Sequence, residues 1–235
     1  MAKDIILYGR HAVLAALSNP NRKISKLLCT KDTSAEVKGK IKPIITDKKE
    51  IDRLLPNDAV HQGFALFTQQ LESFDIEDII RLANKKEKCH VLILDQVSDP
   101  QNIGAIIRSC VAFDALALVM QDKNSPQETG AMAKASAGQI EHLTIARVTN
   151  LSRAIQQLKD AGFWAIGMDG YAKTTIDKMN KSGKIAIIMG SEGKGMRRLV
   201  EENCDDTVRL PISEKVESLN VSTAAAIVLY ELNKD

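Results

Sequence analysis

Three stretches of this chain put small, amide and charged residues just where an apolar run gives way to a turn. The first is Asp95-Gln96-Val97-Ser98-Asp99-Pro100-Gln101-Asn102-Ile103-Gly104, continuing to Arg108. Asn102 has the side chain of an N-cap, Gly104 admits a second backbone, and Arg108 follows one turn after Gly104 on the same helical face. With Ile103, Ile106, Ile107 and Cys110 turned to a core, Arg108 is displayed beside the helix start. A plain cap and a surface cation would account for the same residues without any chemistry.

The second stretch is Met189-Gly190-Ser191-Glu192-Gly193-Lys194-Gly195-Met196, after an apolar strand and before a helix. Its glycines at 190, 193 and 195 let a ligand approach the backbone closely. The spacing G-x-x-G-x-G is not the dinucleotide fingerprint G-x-G-x-x-G, and no acidic residue follows at the distance a dinucleotide ribose needs. A glycine turn with no ligand is the simpler alternative. In the third stretch, Leu210-Pro211-Ile212 leads through Val216 into the helix starting near Ser222, with Ser218, Asn220 and Ser222 at alternate positions. One of these groups suffices as a cap; three suit a ligand.

A fourth run, Gly167-Met168-Asp169-Gly170-Tyr171-Ala172-Lys173-Thr174, nearly fits the phosphate-binding pattern G-x-x-x-x-G-K-[ST]. Ala172 replaces the glycine beside the lysine, and the strand ending at Asp95 precedes it where a Walker B strand should follow. A P-loop is therefore the weaker reading.

Strands are expected at His90–Asp95, Ala115–Met120, His142–Val148, Phe163–Asp169, Lys184–Gly190 and Asp206–Ile212. Helices alternate with them at Ile103–Phe113, Thr129–Ala137, Leu151–Ala161, Met196–Cys204 and Ser222–Leu232. Alternation of this kind implies a mostly parallel α/β sheet, with ligands beyond the carboxyl ends of its strands. Ahead of it, a helix over Arg10 to Leu17, strands at Lys26–Thr30 and Lys42–Ile45, helices at Ser34–Lys40 and Lys48–Leu55 and a closing strand at Gly63–Phe67 make a small α/β module. The division is residues 1–68, a charge-rich helix or linker over 69–88, and residues 89–235, with a segment starting near Lys85 expected to fold alone.

A chain of 235 residues with 44% hydrophobic and 26% charged residues is an ordinary globular composition with room for one sizeable domain and a small one. Its longest apolar runs, such as Val91–Leu94 and Ala224–Tyr230, are too short for a bilayer, and with no secretory signal in the opening residues a cytoplasmic location is expected. Cys29, Cys89, Cys110 and Cys204 form no CxxC pair, so neither a zinc ribbon nor a disulfide framework is expected, and Cys89-His90 reads as buried strand rather than metal ligand. The net charge of +2 is unevenly spread: residues 1–53 carry 12 Lys and Arg against 6 Asp and Glu, and the rest 20 against 24. The amino-terminal part is thus the expected contact for a polyanion, unless it is only a solvated lysine-rich face.

Together, Asn102-x-Gly104-x-x-x-Arg108, the Gly190 to Gly195 loop, and Leu210-Pro211-Ile212 with Ser218-Leu219-Asn220-Val221-Ser222 resemble, in order, the three motifs of the SpoU (TrmH-like) RNA ribose 2′-O-methyltransferases. The resemblance covers residues 90–235 well. Tyr8-Gly9-Arg10-His11-Ala12-Val13 and His61-Gln62-Gly63 extend a looser likeness to the small substrate-binding domain found in that family's ribosomal RNA branch. The resemblance implies a SPOUT-type, trefoil-knotted, mostly parallel catalytic domain and a homodimer. It also implies S-adenosylmethionine as donor and RNA as partner, a 23S ribosomal RNA guanosine rather than transfer RNA. By motif, Met168, Gly190, Leu210, Ile212, Ser218 and Leu219 would hold the donor. Asn102, Arg108, Glu192, Ser218 and Asn220 would surround the reacting hydroxyl, with no metal, and Arg108 would be the principal catalytic residue. An arginine stays protonated, so a phosphate clamp is a safer role for it than a general base, and Glu192 is the alternative base. A non-catalytic RNA-binding relative is the competing reading.

Overall fold

Two sheets form from two successive parts of the sequence in the computed structural model, which describes residues 4–38 and 41–234. The first part runs β1 (Ile5–Tyr8), α1 (Arg10–Ser18), β2 (Ile24–Cys29), β3 (Ile44–Ile45), α2 (Lys48–Asp52) and β4 (Phe64–Thr68). Its strands lie in the order β1-β4-β2-β3, antiparallel except for β2 against β3. The expected helix Ser34–Lys40 is only a 3-10 turn at Ser34–Glu36 with Val37 already extended, and residues 39 and 40 lie outside the described residues. The expected strand Lys42–Ile45 shortens to β3, and the helix Lys48–Leu55 to α2.

The second part continues α3 (Ile76–Ala83), β5 (Cys89–Leu94), α4 (Pro100–Ala112), β6 (Ala117–Gln121), α5 (Gly130–Ala135), β7 (Thr144–Val148), α6 (Leu151–Asp160), β8 (Phe163–Met168) and β9 (Thr174–Thr175). It ends with β10 (Lys184–Met189), α7 (Arg198–Glu201), β11 (Asp206–Arg209) and α8 (Val221–Asn233). The strand order is β7-β6-β5-β10-β8-β11-β9, and every pairing within it is parallel. The mostly parallel sheet expected from the alternation is therefore what forms.

A sheet covered on both faces needs strands apolar on both sides, which is why β5 and β10 read as unbroken apolar runs. Leu92 and Leu94 of β5 and Ile185, Ile187 and Met189 of β10 enter one core, which α4 and α8 cover. Val91, Ile93, Ala186 and Ile188 enter the other, with α3 and α6. Six helices start on a side chain that accepts a first-turn amide: Asp47, Asp75, Asp99, Thr129, Asn150 and Asn220. The cap of α4 is thus Asp99, not Asn102, because Pro100 suits the first helical position and starts the helix before the apolar periodicity begins. Gly104 does admit a backbone, since a Cβ there would lie 2.5 Å from the Met132 carbonyl oxygen of α5.

The near P-loop does not form one. Gly167 and Met168 lie within β8, and Lys173 runs into β9 and a 3-10 turn, so no helix amino terminus follows it. Cys89 and His90 are buried strand residues, and the His90 ring is hydrogen-bonded to the Phe113 carbonyl. Among the described residues no helix is long and apolar enough to cross a membrane.

The two sheets share a core. Leu7, Val13, Leu27, Phe64 and Leu66 of the first part join Met132, Ala133 and Ile140 of the second. At the seam a Cβ on Gly130 would fall 2.3 Å from the Ile6 carbonyl oxygen, so only glycine lets β1 lie against α5. Arg22, whose side chain is fully buried, crosses the same seam to Glu141 at 2.7 Å and to Glu128. Burial by itself would lower the Arg22 pKa, but hydrogen bonds to Glu128 and Glu141 outweigh it and hold the guanidinium above its usual value. Between the sheets, residues 69–88 are pinned rather than loose. Phe74 exchanges backbone hydrogen bonds with Ile145 (3.0 Å) and Arg147 (3.2 Å) at the edge of β7, and α3 packs on β7 and α6. The segment from Lys85 onward, taken alone, would lack the cover that Phe74 and α3 give to β7 and α6.

Candidate active site

Parallel strands end at one edge, and the neighbours β10, β8 and β11 deliver their following loops there together. Asp169, Gly170 and Tyr171 follow β8, residues 190–197 follow β10, and Leu210 to Asn220 lead from β11 into α8. Between them lies a cavity of about 710 Å³, within the range of small-ligand sites. Met168, Gly190, Leu210, Ile212, Ser218 and Leu219 all line it, and so does Glu192.

The loop after β10 is closed by its own backbone. Ser191 and Gly195 donate to each other's carbonyl oxygens, at 3.2 and 3.0 Å, around Glu192, Gly193 and Lys194. A Cβ at Gly190 would sit 2.1 Å from the Gly195 carbonyl carbon, so even alanine would force the loop open. Gly190 is therefore required first by the loop, whereas Gly193 and Gly195 have open space beside them. The loop's far end is anchored just beyond β5: Asp95, fully buried, accepts the Arg197 amide at 2.8 Å and its Nε at 2.8 Å.

On the α8 side, Asn220 accepts the Ser222 amide at 2.9 Å and donates its Nδ2 to Asn102 Oδ1 at 3.0 Å. Asn102 and Asn220 are thus brought together next to the cavity wall formed by Leu219 and Val221, though neither lines it. Arg108 is not brought in. It is exposed and lies about 9 Å further along α4 than Asn102, six residues at helical rise.

Two family models match this chain: the SpoU rRNA Methylase family over residues 90–230, and RNA 2′-O ribose methyltransferase substrate binding over residues 6–74. The chain belongs to the SpoU rRNA methylase family. It is an RNA 2′-O-methyltransferase of that family, whose members use S-adenosylmethionine. YacO of Bacillus subtilis, assigned to the TrmH family of tRNA/rRNA methyltransferases, is 36% identical over 95% of this chain and 93% of its own length. Among solved structures, the SpoU methyltransferase AviRb of Streptomyces viridochromogenes in complex with AdoMet shares the fold, with a TM-score of 0.81 at 19% identity over 98% of this chain and 89% of that one. An AdoMet-bound rRNA methyltransferase of Sinorhizobium meliloti gives a TM-score of 0.80 at 21% identity, over 98% and 87%.

In this SpoU chain the helix expected over Met196–Cys204 contracts to α7, because residues up to Arg197 belong to the loop that Asp95 holds. Sequence reasoning missed that anchor. Its signal is a carboxylate closing the apolar strand Val91 to Leu94, since a buried charge needs a partner. It also missed Arg209, Glu201 and Glu217, which line the cavity outside the three motifs or between their named residues.

Proposed function

We propose that this SpoU protein methylates the ribose 2′-hydroxyl of a guanosine in 23S ribosomal RNA, working as a homodimer. The observation that carries the reading is the single cavity lined by all six residues assigned to the donor and by Glu192. When bound there, S-adenosylmethionine supplies a methyl group already activated on a sulfonium. What remains for the chain is to align the ribose oxygen and remove its proton. The Gly190 to Gly195 backbone and the apolar side chains of Leu210, Ile212 and Leu219 fit a donor held largely by main chain and surface contact.

Asn102 and Asn220, fixed by their mutual hydrogen bond, orient the hydroxyl's surroundings. Glu192 is exposed at the cavity and takes the proton, and Ser218 lines the same cavity from the loop before α8. Arg108 stays charged and clamps an RNA phosphate. Because it is not in its own chain's cavity wall, it serves the partner's site in the dimer. Exposed Ile227 and Tyr230 on α8, with the Phe113 ring 5.8 Å from that of Tyr230, support a face where the second copy packs. Residues 1–68 take RNA through their basic excess, residues 89–235 carry the reaction in a trefoil-knotted domain, and 69–88 join them. The location is cytoplasmic.

A transfer RNA substrate is the second reading, favoured by the tRNA/rRNA naming of YacO. Unmodified 23S ribosomal RNA and bulk transfer RNA, each given the enzyme and labelled donor and then mapped for ribose methylation, decide between them. A single methylated guanosine in 23S RNA is expected; methylation confined to transfer RNA overturns the assignment.

A further inference from the structure

S-adenosylmethionine brings three charges to any site that holds it: a sulfonium and an ammonium, both positive, and one carboxylate. The cavity's charged lining is mostly acidic, with Asp169, Glu192, Glu201 and Glu217 against Lys194 and Arg209. Carboxylates suit the two positive groups, but the donor's own carboxylate needs a cation. Lys194 is exposed at the tip of the glycine loop, whereas Arg209 is half-buried and is the last residue of β11. Its backbone is held by pairing with Thr175 of β9, one residue after Val208 pairs with Met168 of β8.

Among the described residues, Arg209 makes no ion pair and no side-chain hydrogen bond. Four other sheltered cations are matched by carboxylates: Arg22 with Glu128 and Glu141, Lys159 with Asp205, Lys181 with Glu231, and Arg197 with Asp95, while Arg147, away from this cavity, has only the Pro126 carbonyl. An unmatched guanidinium on a fixed strand end, in the wall of a cavity, is a planar fork awaiting an anionic oxygen pair.

We propose that Arg209 binds the carboxylate of the donor's amino-acid tail and so fixes which end of the cavity the tail occupies. The inference rests on the assignment of this cavity to S-adenosylmethionine. The same guanidinium chemistry would also accept an RNA phosphate, and the test separates the two sources.

The test is a cycle of protein and ligand changes read by isothermal titration on the full chain. S-adenosylmethionine and its decarboxylated form, which lacks only the carboxylate, are titrated into wild type, Arg209→Met and Arg209→Gln. Wild type should bind the complete donor at least about tenfold more tightly than the decarboxylated one, the worth of a charged hydrogen-bonded pair. Both variants should lose that preference while keeping wild-type affinity for the decarboxylated ligand.

Equal weakening toward both ligands in a folded variant would mean that Arg209 only shapes the wall, and an unchanged preference would mean that it does not touch the tail; either overturns the proposal. Weaker retention of 23S RNA by the variants, with the preference intact, would move Arg209 to a phosphate. Failure of the wild type to bind either ligand removes the cavity assignment itself, a result distinct from all of these.

Discussion

Asn220 Nδ2 donates to Asn102 Oδ1 at 3.0 Å across 118 residues of sequence, while the same side chain caps α8 through the Ser222 amide. One residue thus starts a helix and ties it to the first turn of α4. Serine also caps helices but is too short to reach Asn102. Asn220→Ser should therefore keep the stability of the wild type within about 0.5 kcal/mol, whereas Asn220→Ala should lose about 1 kcal/mol. Both should lower methyl transfer, by about tenfold to a hundredfold, the cost of a misplaced positioning group. Denaturant melts and turnover measured together check this, and wild-type turnover by Asn220→Ser would leave the tie without a catalytic part.

The buried cluster of Arg22, Glu128 and Glu141 makes the seam between the sheets stiff. Arg22→Met leaves two carboxylates buried without their cation and should cost about 3–5 kcal/mol. Adding Glu128→Gln and Glu141→Gln should recover much of the loss. A single variant as stable as wild type, by urea unfolding, would mean that the seam opens to water at little cost.

Much of the catalytic part was legible because parallel strands buried on both faces read as apolar runs and their loops carry the unusual residues. The six proposed donor residues come from the resemblance to the SpoU motifs, and they fall on one cavity because the loops after β8, β10 and β11 meet there. Asn102 was misread as a cap because apolar periodicity begins after a helix does; Pro100 marked the true start. The seam was not legible. Gly130 looks like any helix-start glycine until Ile6 is seen against it, and Arg22 looks like one more amino-terminal cation until two distant glutamates enclose it. Contacts set by tertiary packing leave no local period to read.

His90 gives the fold a pH dependence of definite sign. Burial holds its pKa below the usual value, the Phe113 carbonyl only partly offsetting this. The unfolded chain therefore binds a proton that the folded one refuses, between the ordinary histidine value of about 6.5 and the depressed one. This contribution is fully present above about pH 6.5 and is lost as pH falls below it. His90→Phe should flatten the fall in stability as pH drops below about 6.5 relative to wild type, whatever its effect at neutral pH. An unchanged slope in urea melts across that range would place the pH response elsewhere.

If Arg108 serves the partner's cavity, two inactive variants should rescue each other. Arg108→Ala keeps its cavity, while Gly190→Ala keeps Arg108 but loses its closed loop. A mixed dimer then holds one complete site and should recover about half the activity per dimer if the two sites work independently. Co-expression with two affinity tags yields the mixed species. No recovery in a confirmed mixed dimer would return Arg108 to its own chain's site.

The reaction itself is tested most directly at the level of the nucleoside. Unmodified 23S ribosomal RNA is incubated with the full chain and methyl-labelled S-adenosylmethionine, digested completely and resolved by mass spectrometry. The expected result is label in 2′-O-methylguanosine, absent with Arg108→Ala although that variant still binds the donor. Label on a base would contradict ribose methylation as the work of this site, and no label from a wild-type protein whose cavity binds the donor would contradict 23S ribosomal RNA as its substrate.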